Sequence, residues 1–171
     1  MTAGTTRARF FAVLGTAVFL VLAPGTVVVL VPWWITRWRL HAHFAGIAPL
    51  RVLGVLTIAA GAVVVLDSFA RFAWQGIGTP APVYPTRHLV VKGFYRYVRN
   101  PMYVALLLIV AGQALFFADL RLVVYAFFAW LATHLFVVFY EEPTLRRSFG
   151  ADYEAYCRRV HRWWPTTAAH R

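Results

Sequence analysis

Residues 102–140 read MYVALLLIVAGQALFFADLRLVVYAFFAWLATHLFVVFY, and this stretch decides the fold. An apolar run of 17 residues, Met102 to Ala118, meets one of 21, Leu120 to Tyr140, across a single turn at Asp119. At ~1.5 Å of rise per residue the runs are about 26 and 32 Å long as helices, close to the ~30 Å hydrocarbon core of a bilayer. So short a connection sends the second run back beside the first. The reading is a transmembrane helical hairpin, its first arm short enough that the bilayer thins locally or the helix ends lie at the interface. Gln113 and His134 are its conspicuous polar residues. The ordinary reading of each is an interhelical hydrogen bond, because buried polar groups need partners. His134 also falls two turns before Glu141, on nearly the same face.

The rest of the chain agrees with a membrane class. Of 171 residues, 61% are hydrophobic and 13% charged, with a mean hydropathy of +0.64, far too apolar for a soluble domain of this size. The net charge of +11 comes from basic residues clustered beside apolar spans, where anionic headgroups attract them, so the expected partner is a membrane surface and not nucleic acid. The single cysteine, Cys157, excludes an internal disulfide and a cysteine-based metal cluster.

Upstream, Phe10 to Val31 is a 22-residue apolar run behind Arg7 and Arg9, read as a retained anchor with a kink at Pro24. Trp33, Trp34 and Trp38 among Arg37 and Arg39 have an interfacial composition, and the chain turns there. A second run, Ile47 to Phe69, carries Gly54, Ala60 and Gly61, small residues that let another helix approach. Near its end Asp67 and Arg71, spaced i, i+4, read as an interfacial ion pair. The whole is predicted to be an all-α polytopic membrane protein of about four spans. It forms a single domain over 1–171, with two N-terminal spans in 1–74 and a loop, hairpin and C-terminal helix in 75–165.

Between the second span and the hairpin the composition changes in kind. Gly76, Gly78, Pro80, Pro82 and Pro85 break helix, and the loop runs into RHLVVKGFYRYVRNPMY, residues 87–103, where cations alternate with aromatics. After the hairpin comes EEPTLRRSFGADYEAYCRRVHRWWP, residues 141–165. Pro143 reads as a helix start or kink and Gly150 as a helix end. Ala151 to Arg162 reads as an interfacial helix with acids first and arginines last, anchored by Trp163 and Trp164. All Lys and Arg except Arg37, Arg39, Arg51 and Arg121 fall on the side of the two termini, which the positive-inside rule makes cytoplasmic.

The hairpin therefore returns the chain so that the 87–103 patch and Glu141-Glu142 meet at one membrane face. Such a pocket suits a zwitterion with a second positive centre. Arg87 or His88 would take a carboxylate, Glu141 or Glu142 an ammonium, and Tyr95 or Tyr103 would turn a π-face to the cation. S-adenosylmethionine has those three features, as do other ligands.

GFYRYVRNPMY, a gap of one hairpin, then EEPTLRRSFGADYEAYCRRVHRWWP resembles the isoprenylcysteine carboxyl methyltransferase and phospholipid methyltransferase superfamily of integral membrane enzymes. The likeness runs from about Gly76 to Pro165, and the first two spans carry little of it. It implies S-adenosylmethionine held at the cytosolic face under a lid and a lipophilic acceptor entering from the bilayer. By position, the cofactor contacts fall on Arg87, His88, Leu89, Val90, Tyr95, Asn100, Pro101, Met102, Tyr103 and Glu141, with Glu142 beside it. It also implies a bacterial inner membrane.

Three departures stand out. Asn100 replaces the usual His, Ala105 a usual Gly, and Val137 an Arg found in prenylcysteine-specific members, which argues against a prenylcysteine carboxylate. Methyl transfer to a carboxylate needs no base, whereas an amine acceptor must lose a proton, for which Glu142 or His134 are the candidates. The rival readings are an NADPH-dependent membrane reductase of similar hairpin architecture and a small transporter or assembly protein.

Overall fold

The computed structural model describes residues 22–40, 48–75, 89 and 91–166. The start of the first expected span and most of the Gly/Pro-rich loop, with Arg87, His88 and Val90, lie outside them. Among the described residues the fold is entirely helical: α1 (Leu22–Thr36), α2 (Ala48–Gln75), a 3-10 turn (Gly93–Arg96), α3 (Pro101–Phe117), α4 (Leu120–Phe136) and α5 (Glu142–Arg159). Among the described residues two stretches are long and apolar enough to cross a membrane, Ala48–Arg71 and Leu120–Arg159, and two shorter helices are apolar, Leu22–Thr36 and Pro101–Phe117. Only 28% and 11% of the most apolar windows of the two long helices are buried, so these are not the core helices of a soluble protein. Val52, Leu56, Val63, Phe127, Phe128 and Phe139 point outward, as helices do in lipid.

The hairpin forms as expected. Ala118 adopts the left-handed conformation that ends α3, and the Asp119 carboxylate caps α4 by accepting from the Arg121 backbone N–H at 2.9 Å. The tightest packing is between α2 and α3. A Cβ on Gly54 would stand 2.7 Å from the Gly112 carbonyl oxygen, and one on Gly112 2.7 Å from that of Gly54. Gly61 meets the Ala105 carbonyl in the same way, while Ala60 faces outward. Helices packed so closely that these glycines leave no room for a Cβ replace the hydrophobic drive that lipid removes. It brings Val65 and Phe69 of α2 onto Met102, Ala105, Leu106 and Ile109 of α3.

Two prolines are absorbed by one device. Pro32 follows a π-turn, Thr26–Leu30, and Pro143 follows another, Val137–Glu141. In each the residue after the turn donates five residues back, Val31 to Thr26 and Glu142 to Val137, so the helix passes its proline without breaking. Pro32 lacks the N–H that the Val28 or Val27 carbonyl would receive. Gln113 of α3 donates to the Val28 carbonyl at 2.7 Å, and the Tyr125 hydroxyl of α4 to that of Val27 at 3.0 Å. Among the described residues the irregularity of the first span precedes Pro32; Pro24 is buried, and the turn before it, where its expected kink would fall, lies outside the described residues.

In the C-terminal region the π-turn at Val137–Glu141 carries the helix of the fourth span past Pro143 and on to Phe149. Gly150, with φ 49° and ψ −122°, leaves the helical conformation and ends that helix, as expected, so α5 is two helical pieces about this kink. The second piece starts at Ala151 and stops at Arg159, short of the expected Arg162.

Candidate functional site

The motif enters the fold through Gly93. Lys92 is extended and Gly93 takes φ +61°, a conformation that favours glycine. A Cβ there would also overlap the Arg71 guanidinium, so a side chain at 93 would have to displace Arg71. Arg71 is held in turn by Asp67, whose carboxylate accepts from Nε at 2.7 Å and from Nη2 at 2.8 Å. The 3-10 turn of residues 93–96 therefore rests on the end of α2 and delivers Tyr95 beside the buried Ser68.

Tyr103, one turn into the hairpin, donates its hydroxyl to Glu141 Oε2 at 3.2 Å. Glu141 ends the π-turn just past the apolar part of the fourth span, and its other oxygen has no hydrogen-bond partner among the described residues. Burial raises the Glu141 carboxyl above its ordinary value, outweighing the Tyr103 hydrogen bond, and the neighbouring Glu142 adds to the rise. The Tyr95 phenol is pushed up by burial and by the negative charge of Glu141, which places the two groups within each other's field.

Glu142 has the opposite surroundings. Its side chain is 3% exposed and accepts from Arg162 Nε at 2.6 Å and Nη2 at 3.0 Å and from Arg99 Nη1 at 3.1 Å, with Arg146 Nη2 3.6 Å away. Burial alone would raise its carboxyl, but the Arg162 hydrogen bonds and the charges of Arg99, Arg162 and Arg146 bring it below the ordinary value. Arg99 Nη1 also donates to Cys157 Sγ at 2.8 Å. With so many guanidiniums on it, Glu142 is a structural anion and a poor proton acceptor.

The segment after α5 closes over the motif. The Arg99 N–H donates to the His161 carbonyl at 2.9 Å, the Thr166 N–H to the Tyr97 carbonyl at 2.7 Å, and Asn100 Nδ2 to the Arg162 carbonyl at 3.2 Å. From α5, the Tyr156 hydroxyl donates to the Tyr95 carbonyl at 2.7 Å. Trp163 Nε1 donates to His134 Nδ1 at 3.1 Å, and His134 also stacks on Trp130. An indole N–H only donates, so that His134 nitrogen is an acceptor and its lone pair is occupied. His134 therefore fastens the tail to α4 and does not offer this nitrogen as a base. Trp163 is held by the protein, whereas Trp164 stays exposed as an interfacial anchor would.

Of the residues read as cofactor contacts, Tyr95, Tyr103 and Glu141 come together. Asn100 is buried and donates to the tail, Pro101 and Met102 are buried in the helix core, and Leu89 packs on Tyr153, Tyr156 and Val160. Asp67 and Arg71 form the expected pair, and their contact with the motif turn was missed. Arg162 was missed as well. One signal was available: with six acids against 17 Lys and Arg, every carboxylate is in demand, and a buried Glu142 must collect arginines.

No curated protein and no solved structure matches the chain. The family model described as phospholipid methyltransferase matches residues 50–152, more than half of the 171. The match begins near the start of α2, upstream of where the sequence likeness was read, and takes in Asp67, Arg71, the motif turn, the hairpin and both glutamates. An all-helical chain with lipid-facing spans, matched across its hairpin and motif, belongs to the phospholipid methyltransferase family.

Proposed function

We propose that the chain is an S-adenosylmethionine-dependent methyltransferase whose acceptor is a lipophilic molecule reaching the site from the bilayer. The observation that carries this is Glu141: a carboxylate with one oxygen on Tyr103 and the other unpartnered among the described residues, in the field of Tyr95, where the hairpin meets the motif. These groups fit the donor's chemistry. Glu141 would accept from its ammonium, the ring of Tyr95 or Tyr103 would face its sulfonium, and Arg87 or His88, outside the described residues, would take its carboxylate. When bound, S-adenosylmethionine supplies an electrophilic methyl group, and the thioether it leaves needs no proton.

The residues of the chain then position and desolvate. The Glu142 cluster fixes Glu141 by fixing the helix that carries both. The tail segment of residues 161–166 covers the motif through its hydrogen bonds to Tyr97, Arg99 and Asn100. Neither base candidate is offered to a substrate proton, since Glu142 is held by arginines and His134 Nδ1 by Trp163. We place the site at the cytoplasmic face with both termini inside, on the asymmetry of Lys and Arg, and the membrane as a bacterial inner one, on the family resemblance alone.

The test is transfer of a radiolabelled methyl group from S-adenosylmethionine to a bacterial lipid extract by the detergent-purified protein. Label extracted with the lipids, and lost with Glu141→Ala, is the expected result. Absence of label across total lipid, quinone and fatty-acid fractions would count against the proposal.

A further inference from the structure

We infer that Asp67 and Arg71 are positioning residues for the adenosyl-ligand site, acting through the Gly93–Arg96 turn on Tyr95; the inference rests on the reading of that site as one for S-adenosylmethionine. The ordinary interpretation of such a pair is a helix-end salt bridge that matters little. Three observations oppose it. The pairing is bidentate, with parallel bonds of 2.7 and 2.8 Å, so the plane of the guanidinium is fixed and not merely its charge. That plane lies where any residue other than glycine at 93 would place its Cβ, and Gly93 has the positive φ that only the turn requires. Turn and guanidinium are therefore matched surfaces.

The third observation is the row that α2 presents. The helix continues to Gln75, beyond the apolar run, so Asp67, Ser68 and Arg71 are all on regular helix where the motif arrives. Ser68 is fully buried beside Tyr95, and Phe69 is packed in the core with Met102 at the start of α3. The place of Tyr95 is thus referred to a rigid span, through Arg71 at one end of the turn and Ser68 at its middle. Loss of the fork lets the turn move while both helices remain packed through their glycines. The ligand site is then degraded without loss of the fold.

The experiment is calorimetric titration of S-adenosylhomocysteine into the full chain in detergent, with thermal unfolding measured on the same samples, for the wild type, Arg71→Ala, Arg71→Lys, Asp67→Asn and the Arg71→Ala/Asp67→Asn double variant. The expected result is binding weakened by about tenfold or more in each alanine or asparagine variant, as for a misplaced contact. Two members of one unit are non-additive, so the double variant is no weaker than the worse single. Arg71→Lys, which keeps the charge and loses the fork, recovers only part, and the unfolding midpoints change little. Unchanged affinity in Arg71→Ala and Asp67→Asn overturns the inference and leaves a surface salt bridge. Should Arg71→Ala not fold, Asp67→Asn decides, since it keeps the side-chain volume. A wild type that binds neither adenosyl ligand removes the site reading itself, and the inference with it.

Discussion

Arg162 reaches back 20 residues to hold Glu142, with Nε 2.6 Å from one carboxylate oxygen and Nη2 3.0 Å from the other. This fork ties the tail to the start of α5, and Arg99 brings the motif into the same cluster. Removing one partner of a buried pair leaves uncompensated charge, which costs about 3–5 kcal/mol. Glu142→Ala should therefore lower the unfolding free energy in detergent by that order. Arg162→Ala should cost less, because its side chain is 32% exposed and water replaces part of the interaction.

The same cluster sets an acid limit. Its arginines hold the folded Glu142 carboxyl below the ordinary value of 4.5, so its stabilisation is present above about pH 4.5 and is lost as pH falls through the lower folded value. Thermal midpoints of the wild type should fall on acidification below pH 4.5, and Glu142→Gln should show a shallower fall from a lower starting point. Parallel curves would contradict the assignment.

Glycine substitutions should separate space from conformation. Gly112→Ala places a methyl group 2.7–2.9 Å from Gly54 and Ile58 of α2 and forces the helices apart, at about 1–3 kcal/mol. Gly150→Ala meets nothing within 4 Å, so its cost is wholly the strain of φ +49° with ψ −122°, about 1–3 kcal/mol. Unfolding midpoints in detergent should fall for both, and leucine in place of alanine should deepen the fall at 112 and not at 150.

The π-turn before Pro32 offers a rescue test. Tyr125→Phe removes the donor to the Val27 carbonyl, at about 1–2 kcal/mol for an interhelical bond in a membrane setting. Pro32→Ala restores a backbone N–H, so it should recover part of that loss in the double variant. Additive losses would mean that the Tyr125 bond does not answer the missing proline donor.

His134 should prove dispensable to proton transfer. Its Nδ1 accepts from Trp163, so both His134→Gln and Trp163→Phe should lower stability. His134→Gln should leave the pH dependence of methyl transfer unchanged in shape. Disappearance of one limb of that profile would restore His134 as the base.

The hairpin was legible because its signal is local: two apolar runs around Asp119 admit one geometry. The passage of a helix through Pro143 was legible only as one of two readings, start or kink, since a π-turn has no sequence mark and the proline rule also allows a break. Among the site residues, the meeting of the 87–103 patch with the two glutamates followed from the hairpin, which left open that Tyr103 is the residue bonded to Glu141. The division of labour between Glu141 and Glu142 did not, because it depends on Arg99 and Arg162, which lie 43 and 20 residues from Glu142 in sequence. Asp67 and Arg71 were read correctly as a pair and missed as neighbours of Gly93, because a helix-end pair looks the same in sequence whatever rests on it.

The most direct measurement is calorimetric titration of S-adenosylmethionine and S-adenosylhomocysteine, beside NADPH, into the detergent-purified chain and its Glu141→Ala and Tyr95→Ala variants. The account predicts adenosyl-ligand dissociation constants on the order of micromolar for the wild type, lost in both variants, and no NADPH binding. Binding of NADPH alone, or of neither adenosyl ligand, would contradict it.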